Sequence, residues 1–169
     1  MNNQIKSDID AFEIITRNLI LQNERSMNHL EECAYRGFSQ KLQDQVRSEH
    51  EISQQDLDED DRWSDFCEIF QDYDIQPDLK CAIGHIIPDD LYDSDIENSA
   101  ADTPSVLQIV MEAHKDWEIT DASVKMMLQL QKIHDGKFPP DWVLHFSSFK
   151  FHEDGTFLSA DFDESKDNK

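Results

Sequence analysis

Between Glu51 and Asp102 the chain carries 17 of its 37 acidic residues and only two basic ones, Arg62 and Lys80. About 15 of the 22 net negative charges therefore fall in that stretch. Charge of one sign at this density repels itself, so the segment either faces water or presents a negative surface to a basic partner. The core has to be drawn mostly from the sequence on either side of it.

Those flanks have the means to fold. A chain of 169 residues has room for one domain with a real core, not two. Hydrophobic residues make up 38% of it and ten are Phe, unlike the uniformly charged chains that stay unfolded. No apolar run reaches the roughly eighteen residues of a membrane span. MNNQIKSDID has neither a basic n-region nor an apolar h-region, so the expected location is cytoplasmic, without membrane association. Cys33, Cys67 and Cys81 are an odd number at long spacings, which fits reduced thiols rather than a disulfide framework.

Helical periodicity recurs along the chain. Ser7 and Asp10 form a Ser-x-x-acid start, followed by Ile9, Phe12, Thr16, Leu19 and Asn23, with Ile15 and Ile20 broadening the face, to an end near Arg25. Met27 and Leu30 fit a further turn or two, and a short strand at 33–36 leads to a turn at Gly37. Residues 40–55 are polar and read as a loop or a solvated helix. After Ser64, the residues Phe66, Ile69, Phe70 and Tyr73 share one face, and Asp65, Glu68 and Asp72 the other. That pattern predicts an amphipathic helix with an acidic outer wall, although acids near its start also suit the positive end of a helix dipole.

The apolar run Cys81 to Ile87 is compatible with a buried strand, Gly84 allowing a bulge, or with one turn of buried helix. Asp93 to Asp102 reads as an acidic loop. Thr103-Pro104 starts a helix through Val106, Leu107, Val110, Met111 and His114. Thr120-Asp121 starts another, with Val124, Met127, Leu128 and Gln131 on one side, widened by Met126, Leu130 and Ile133, and stopped at Gly136. Pro139-Pro140-Asp141 begins a last helix with Trp142, Phe146 and Phe149 in phase, and Asp154-Gly155 is a turn. The expected fold is a mainly helical α+β single domain over 1–160, with about five helices around one or two short strands at 33–36 and 80–87. It carries an acidic insertion at about 40–78 and a disordered acidic tail at 161–169. The expected core comprises Phe12, Leu19, Ile83, Ile86, Leu107, Val110, Leu128, Phe146 and Phe149.

Tests for chemistry select no reaction. Asp56, Asp58 and Asp60 match the opening of a calcium loop, but Asp61 stands where that loop needs Gly and Cys67 where it needs a bidentate Glu. Asp93, Asp95 and Glu97 repeat the partial match, also without the Gly. Cys81 and His85 are four apart, and Cys33 is a third candidate zinc ligand, yet the close Cys pair usual in structural zinc sites is absent. A buried thiol and a hydrogen-bonded imidazole are the simpler reading of these residues, and no cofactor is expected. His114, His134, His145 and His152 form no metalloprotease-type pair and read as helix-face residues. The four glycines are isolated, so there is no phosphate-cradling loop. Direct nucleic-acid binding is opposed by the charge.

Cys33-Ala34-Tyr35-Arg36-Gly37 and the run from Lys80 to Tyr92, KCAIGHIIPDDLY, resemble two halves of a motif in small phage and prophage proteins. There a C-x-Y-R segment passes through a short turn into C-A-I-G-x-L-I-P-D-x-x-Y, followed by helices with a pattern like Leu130 to Asp135. The resemblance covers about 25 of the 169 residues, and the family has no assigned activity. This chain departs from it by placing about 40 residues between the halves, among them DLDEDD. If the halves pair as a small hairpin, the insertion leaves the scaffold as an acidic excursion.

Phage origin, which the resemblance implies, favours one use of such charge. Small phage inhibitors disable host nucleases and other DNA-bound complexes, some with carboxylates standing in for phosphates. B-DNA presents a charge per roughly 1.7 Å of axis, whereas acids every three to four helical residues give one per roughly 5 Å, so a mimic needs several acidic elements side by side. The leading expectation is a non-catalytic inhibitor that occupies a basic, nucleic-acid-binding surface of a host protein such as a nuclease or DNA-bound defence complex. Asp58, Glu59, Asp60, Asp61, Asp65, Glu68 and Asp72 would carry the contact, with Trp63 as aromatic anchor. Two alternatives stand beside it: a metal-binding or enzymatic domain organised on Cys33, Cys81 and His85, and an accessory phage protein whose acids serve solubility.

Overall fold

In the computed structural model, which describes residues 5–26, 34–50, 73, 75, 77–97 and 99–161, Ser7 starts α1 (Asp8–Gln22) by accepting from the Asp10 amide. The Asp10 carboxylate in turn accepts from the Lys6 amide at 3.0 Å, one residue before the cap. Asn23 closes the helix in the left-handed region at φ 54°, its amide donating to the Leu19 carbonyl. Ala11, Ile15 and Leu19, at i, i+4 and i+8, are the residues α1 buries completely. Ile20, expected on the apolar face, is exposed, and Phe12 is only partly buried.

Two short antiparallel pairs accompany the helices. The first joins β1 (Arg36–Gly37) to β2 (Leu79–Lys80), with Arg36 opposite Lys80 and Gly37 opposite Leu79. Strands expected at 33–36 and 80–87 are thus shorter and displaced. Ala34 and Tyr35 precede β1, and after Lys80 the chain winds into a buried 3₁₀ turn, Ile83–Ile86. Four of its neighbouring apolar side chains, Cys81, Ala82, Ile83 and Ile86, are inaccessible, so the run satisfies burial as one helical turn rather than as a strand. Between the strands, α2 (Gln40–Glu49) is the solvated alternative for 40–55, burying Val46 alone.

Beyond the second 3₁₀ turn, Ser94–Ile96, lie α3 (Pro104–Ala113) and α4 (Asp121–Gly136). Proline at the first position of α3 leaves no amide needing a partner there, and Thr120 with Ser123 forms a reciprocal capping box on α4. The face that α4 buries is Met126, Met127, Leu130, Ile133 and His134, a rotation from the expected Val124 and Leu128 stripe. α5 (Trp142–Phe146) follows, and it stops short of Phe149. The predicted last helix is corrected here: Phe149 belongs to β3 (Phe149–Phe151), which pairs with β4 (Phe157–Ala160) through a turn at Asp154-Gly155. Gly155 sits at φ +85°, and its carbonyl accepts from the Ile9 amide, which docks the hairpin on the start of α1. Phe12 gathers Phe149 and Phe151 at centroid distances of 5.0 and 5.2 Å.

One buried carboxylate crosslinks these elements. Asp8 accepts from Trp117 Nε1 at 2.9 Å, Ser123 Oγ at 2.6 Å and the Phe157 amide at 2.8 Å, joining α1, the 114–120 segment, α4 and β4. The result is a mainly helical α+β domain. Of the expected core, Leu19, Ile83, Ile86, Val110, Phe146 and Phe149 are buried, while Leu107 and Leu128 pack at its edge. The second helical turn at Met27 and Leu30, the amphipathic helix after Ser64 and the tail beyond Asp161 lie outside the described residues. No helix among the described residues is long and apolar enough to cross a membrane.

Candidate functional site

Residues of the two motif halves meet at the β1–β2 pair. The Cys81 amide donates to the Tyr35 carbonyl at 3.1 Å, and Gly84 lies so near that a Cβ there would stand 2.5 Å from the same oxygen. Only glycine permits that approach. Glu97 holds the outer side: its carboxylate accepts from the amides of Tyr35 (2.8 Å) and Arg36 (3.2 Å) and from the Tyr92 hydroxyl. The Arg36 guanidinium lies 4.1 Å from the centre of the Tyr92 ring and 2.6 Å from Asp89, which also receives Lys80 Nζ at 2.8 Å. Lys80 and then Arg36 hold the Asp89 carboxyl below the usual carboxylate range. The Gln22 amide pairs with both the N–H and the carbonyl of Lys80, covering that strand's free edge.

At this junction the chain leaves β1 for the acidic 38–78 segment and re-enters at β2. Just beyond β1, the amide and hydroxyl of Ser39 donate to Asp78 at 2.7 and 2.6 Å, and the same hydroxyl caps α2 by accepting from Leu42. The segment 38–78 so enclosed has thirteen acids and three bases. Asp58, Glu59, Asp60, Asp61, Trp63, Asp65, Glu68 and Asp72 lie outside the described residues, as does Cys33.

Cys81 and His85 are both accounted for by the scaffold. The Cys81 sulfur accepts from the Gly84 amide at 3.3 Å, and burial pushes its thiol well above the ordinary range, so it is not poised as a thiolate ligand or nucleophile. Burial, followed by the charge of Lys80, pushes the His85 imidazole down to about 4. Its Nε2 is buried without a hydrogen-bond partner, contrary to the hydrogen-bonded histidine expected. No three His, Cys, Asp or Glu side chains among the described residues converge to hold a metal ion. His134 is a helix-face residue, as expected, and its face of α4 is the fully buried one. Its Nε2 accepts from the Ser26 amide at 3.1 Å, which places the ring proton on Nδ1, where it donates to Asp135 at 2.7 Å.

A cleft of about 920 Å³ opens beside the junction, between α1, the 83–91 segment and the end of α3. Ile14, Ile86, Ile87 and Leu91 give it apolar wall, and Arg17, Lys80 and Lys115 give it cations. Sequence reasoning had no signal for it, because its lining is scattered over three segments without a shared spacing. Compared with family models, curated proteins and solved structures, the chain finds no match in any of the three.

Proposed function

We propose that this is a non-catalytic acidic binding protein that inhibits a phage host's protein by occupying its basic, nucleic-acid-binding surface, with carboxylates in the place of phosphates. The observation that supports this reading is the pairing of Arg36 with Lys80. It brings the two ends of 38–78, a segment with thirteen acids against three bases, to one point of a folded scaffold. Charge concentrated in this way has an electrostatic cost to the folded chain, which a basic partner would relieve. Of Cys33, Cys81 and His85, the two among the described residues are occupied otherwise, Cys81 as a packed thiol and His85 as a neutral imidazole.

The test is capture from a bacterial host lysate on the immobilised full chain, with elution by NaCl and competition by duplex DNA. The reading requires a nucleic-acid-binding protein that is released as the screening length contracts from about 10 Å at 0.1 M salt to about 3 Å at 1 M. Duplex DNA must compete with it, and the variant D58K/D60K/D65K/E68K must fail to capture it. Capture that survives charge reversal or high salt, or no capture at all, would overturn the reading.

A further inference from the structure

We propose that the cleft between α1, the 83–91 segment and the end of α3 binds a small organic monoanion, a carboxylate or phosphate ester carried on an apolar body. The residues that line it all lie outside 38–78 in sequence. Across most of this chain an anion meets net negative potential, since the total charge is −22. The lining of the cleft is balanced instead, Arg17, Lys80 and Lys115 standing against Asp89, Asp90 and Glu112. Three of the chain's 15 Lys and Arg residues line it, and neither Arg17 nor Lys115 is paired with a carboxylate among the described residues. Asp89 is already held between Arg36 and Lys80, which leaves that trio one positive charge in excess.

The remaining lining defines the class of ligand. Ile14 and Leu91, both half-buried, offer apolar contact, and a volume of about 920 Å³ accommodates a small molecule. Asp90 and Glu112 also line the cleft and oppose a highly charged ligand, so a single negative charge suits it better than a polyphosphate. Of the two histidines in the wall, His114 has a ring nitrogen 2.7 Å from the Ile86 carbonyl. His85 is the one whose Nε2 has no partner.

The test is calorimetric titration of the full chain with benzoate and with the phosphate diester methyl phenyl phosphate, both monoanions, at constant ionic strength, with benzyl alcohol and benzylamine as uncharged and cationic analogues. At least one anion is expected to saturate at one per chain, benzoate alone indicating carboxylate recognition and methyl phenyl phosphate alone phosphate-ester recognition. R17A and K115A, at exposed positions, are each expected to weaken it about fivefold to tenfold without moving the urea midpoint. Bound anion is also expected to raise the titration midpoint of the His85 ring proton in NMR spectra. No saturable anion binding, tighter binding of benzylamine or the alcohol, or R17A and K115A binding like the parent, would overturn the proposal.

Discussion

Asp8 and Glu97 each gather three donors, yet they work in different surroundings. Asp8 is 3% exposed, and its partners Trp117, Ser123 and Phe157 come from the chain's second half. Glu97 is half-buried and holds Tyr35, Arg36 and Tyr92 beside the β1–β2 pair. Water can replace a lost bond at the second site and not at the first. The same device therefore secures the global fold in one place and a local seam in the other.

The largest effect expected from breaking this contrast is at Asp8. D8A leaves three buried donors unsatisfied and is expected to cost about 4 kcal/mol in urea denaturation, with amide exchange accelerating together in α1, α4 and β4. A loss below about 1 kcal/mol would mean that the surrounding core adjusts and that Asp8 is no clasp.

Next comes His85, buried on the seam side. Its folded value of about 4 lies under the ordinary 6.5, so between those values the unfolded chain takes up a proton that the folded chain refuses. Stability is thus fully present above pH 6.5 and declines as pH falls towards about 4, by roughly 3 kcal/mol over that window. H85Q should flatten this slope relative to the parent when urea midpoints are compared at pH 7 and 4.5. Parallel slopes would place the imidazole in contact with solvent.

The smallest effect is expected at Glu97. E97A should cost about 1–2 kcal/mol and speed exchange of the Tyr35 and Arg36 amides while leaving α4 protected. If it matched D8A in size and reach, the seam and the core would be one cooperative unit and the contrast would fail.

What could be read from the sequence follows from where the physics is local. The caps at Ser7, Thr103 and Thr120 and the spacing after them placed α1, α3 and α4, because capping and periodicity act within a few residues. Pairing of the segments at 33–37 and 80–92 was a condition the sequence left open, and β1–β2 meets it with Arg36 opposite Lys80. Phe149 misled because a residue in phase with Trp142 and Phe146 is equally suited to a strand that turns at Gly155. Burial of His134 and the unpartnered His85 nitrogen are tertiary facts: Ser26 stands 108 positions from the first, and nothing near the second in sequence signals its isolation. The cleft was hidden for the same reason, being assembled from helix flanks that the chain brings together only on folding.

The paired Arg36 and Lys80 have a consequence for how such a chain can change. Closing a flexible loop becomes harder only with the logarithm of its length, so each doubling adds only about 0.6 kcal/mol. With β1 and β2 paired at one seam, the number of residues between them enters the cost of closing that pair only through this logarithm. The junction separates the rate at which the acidic segment can diversify from the rate at which the fold can.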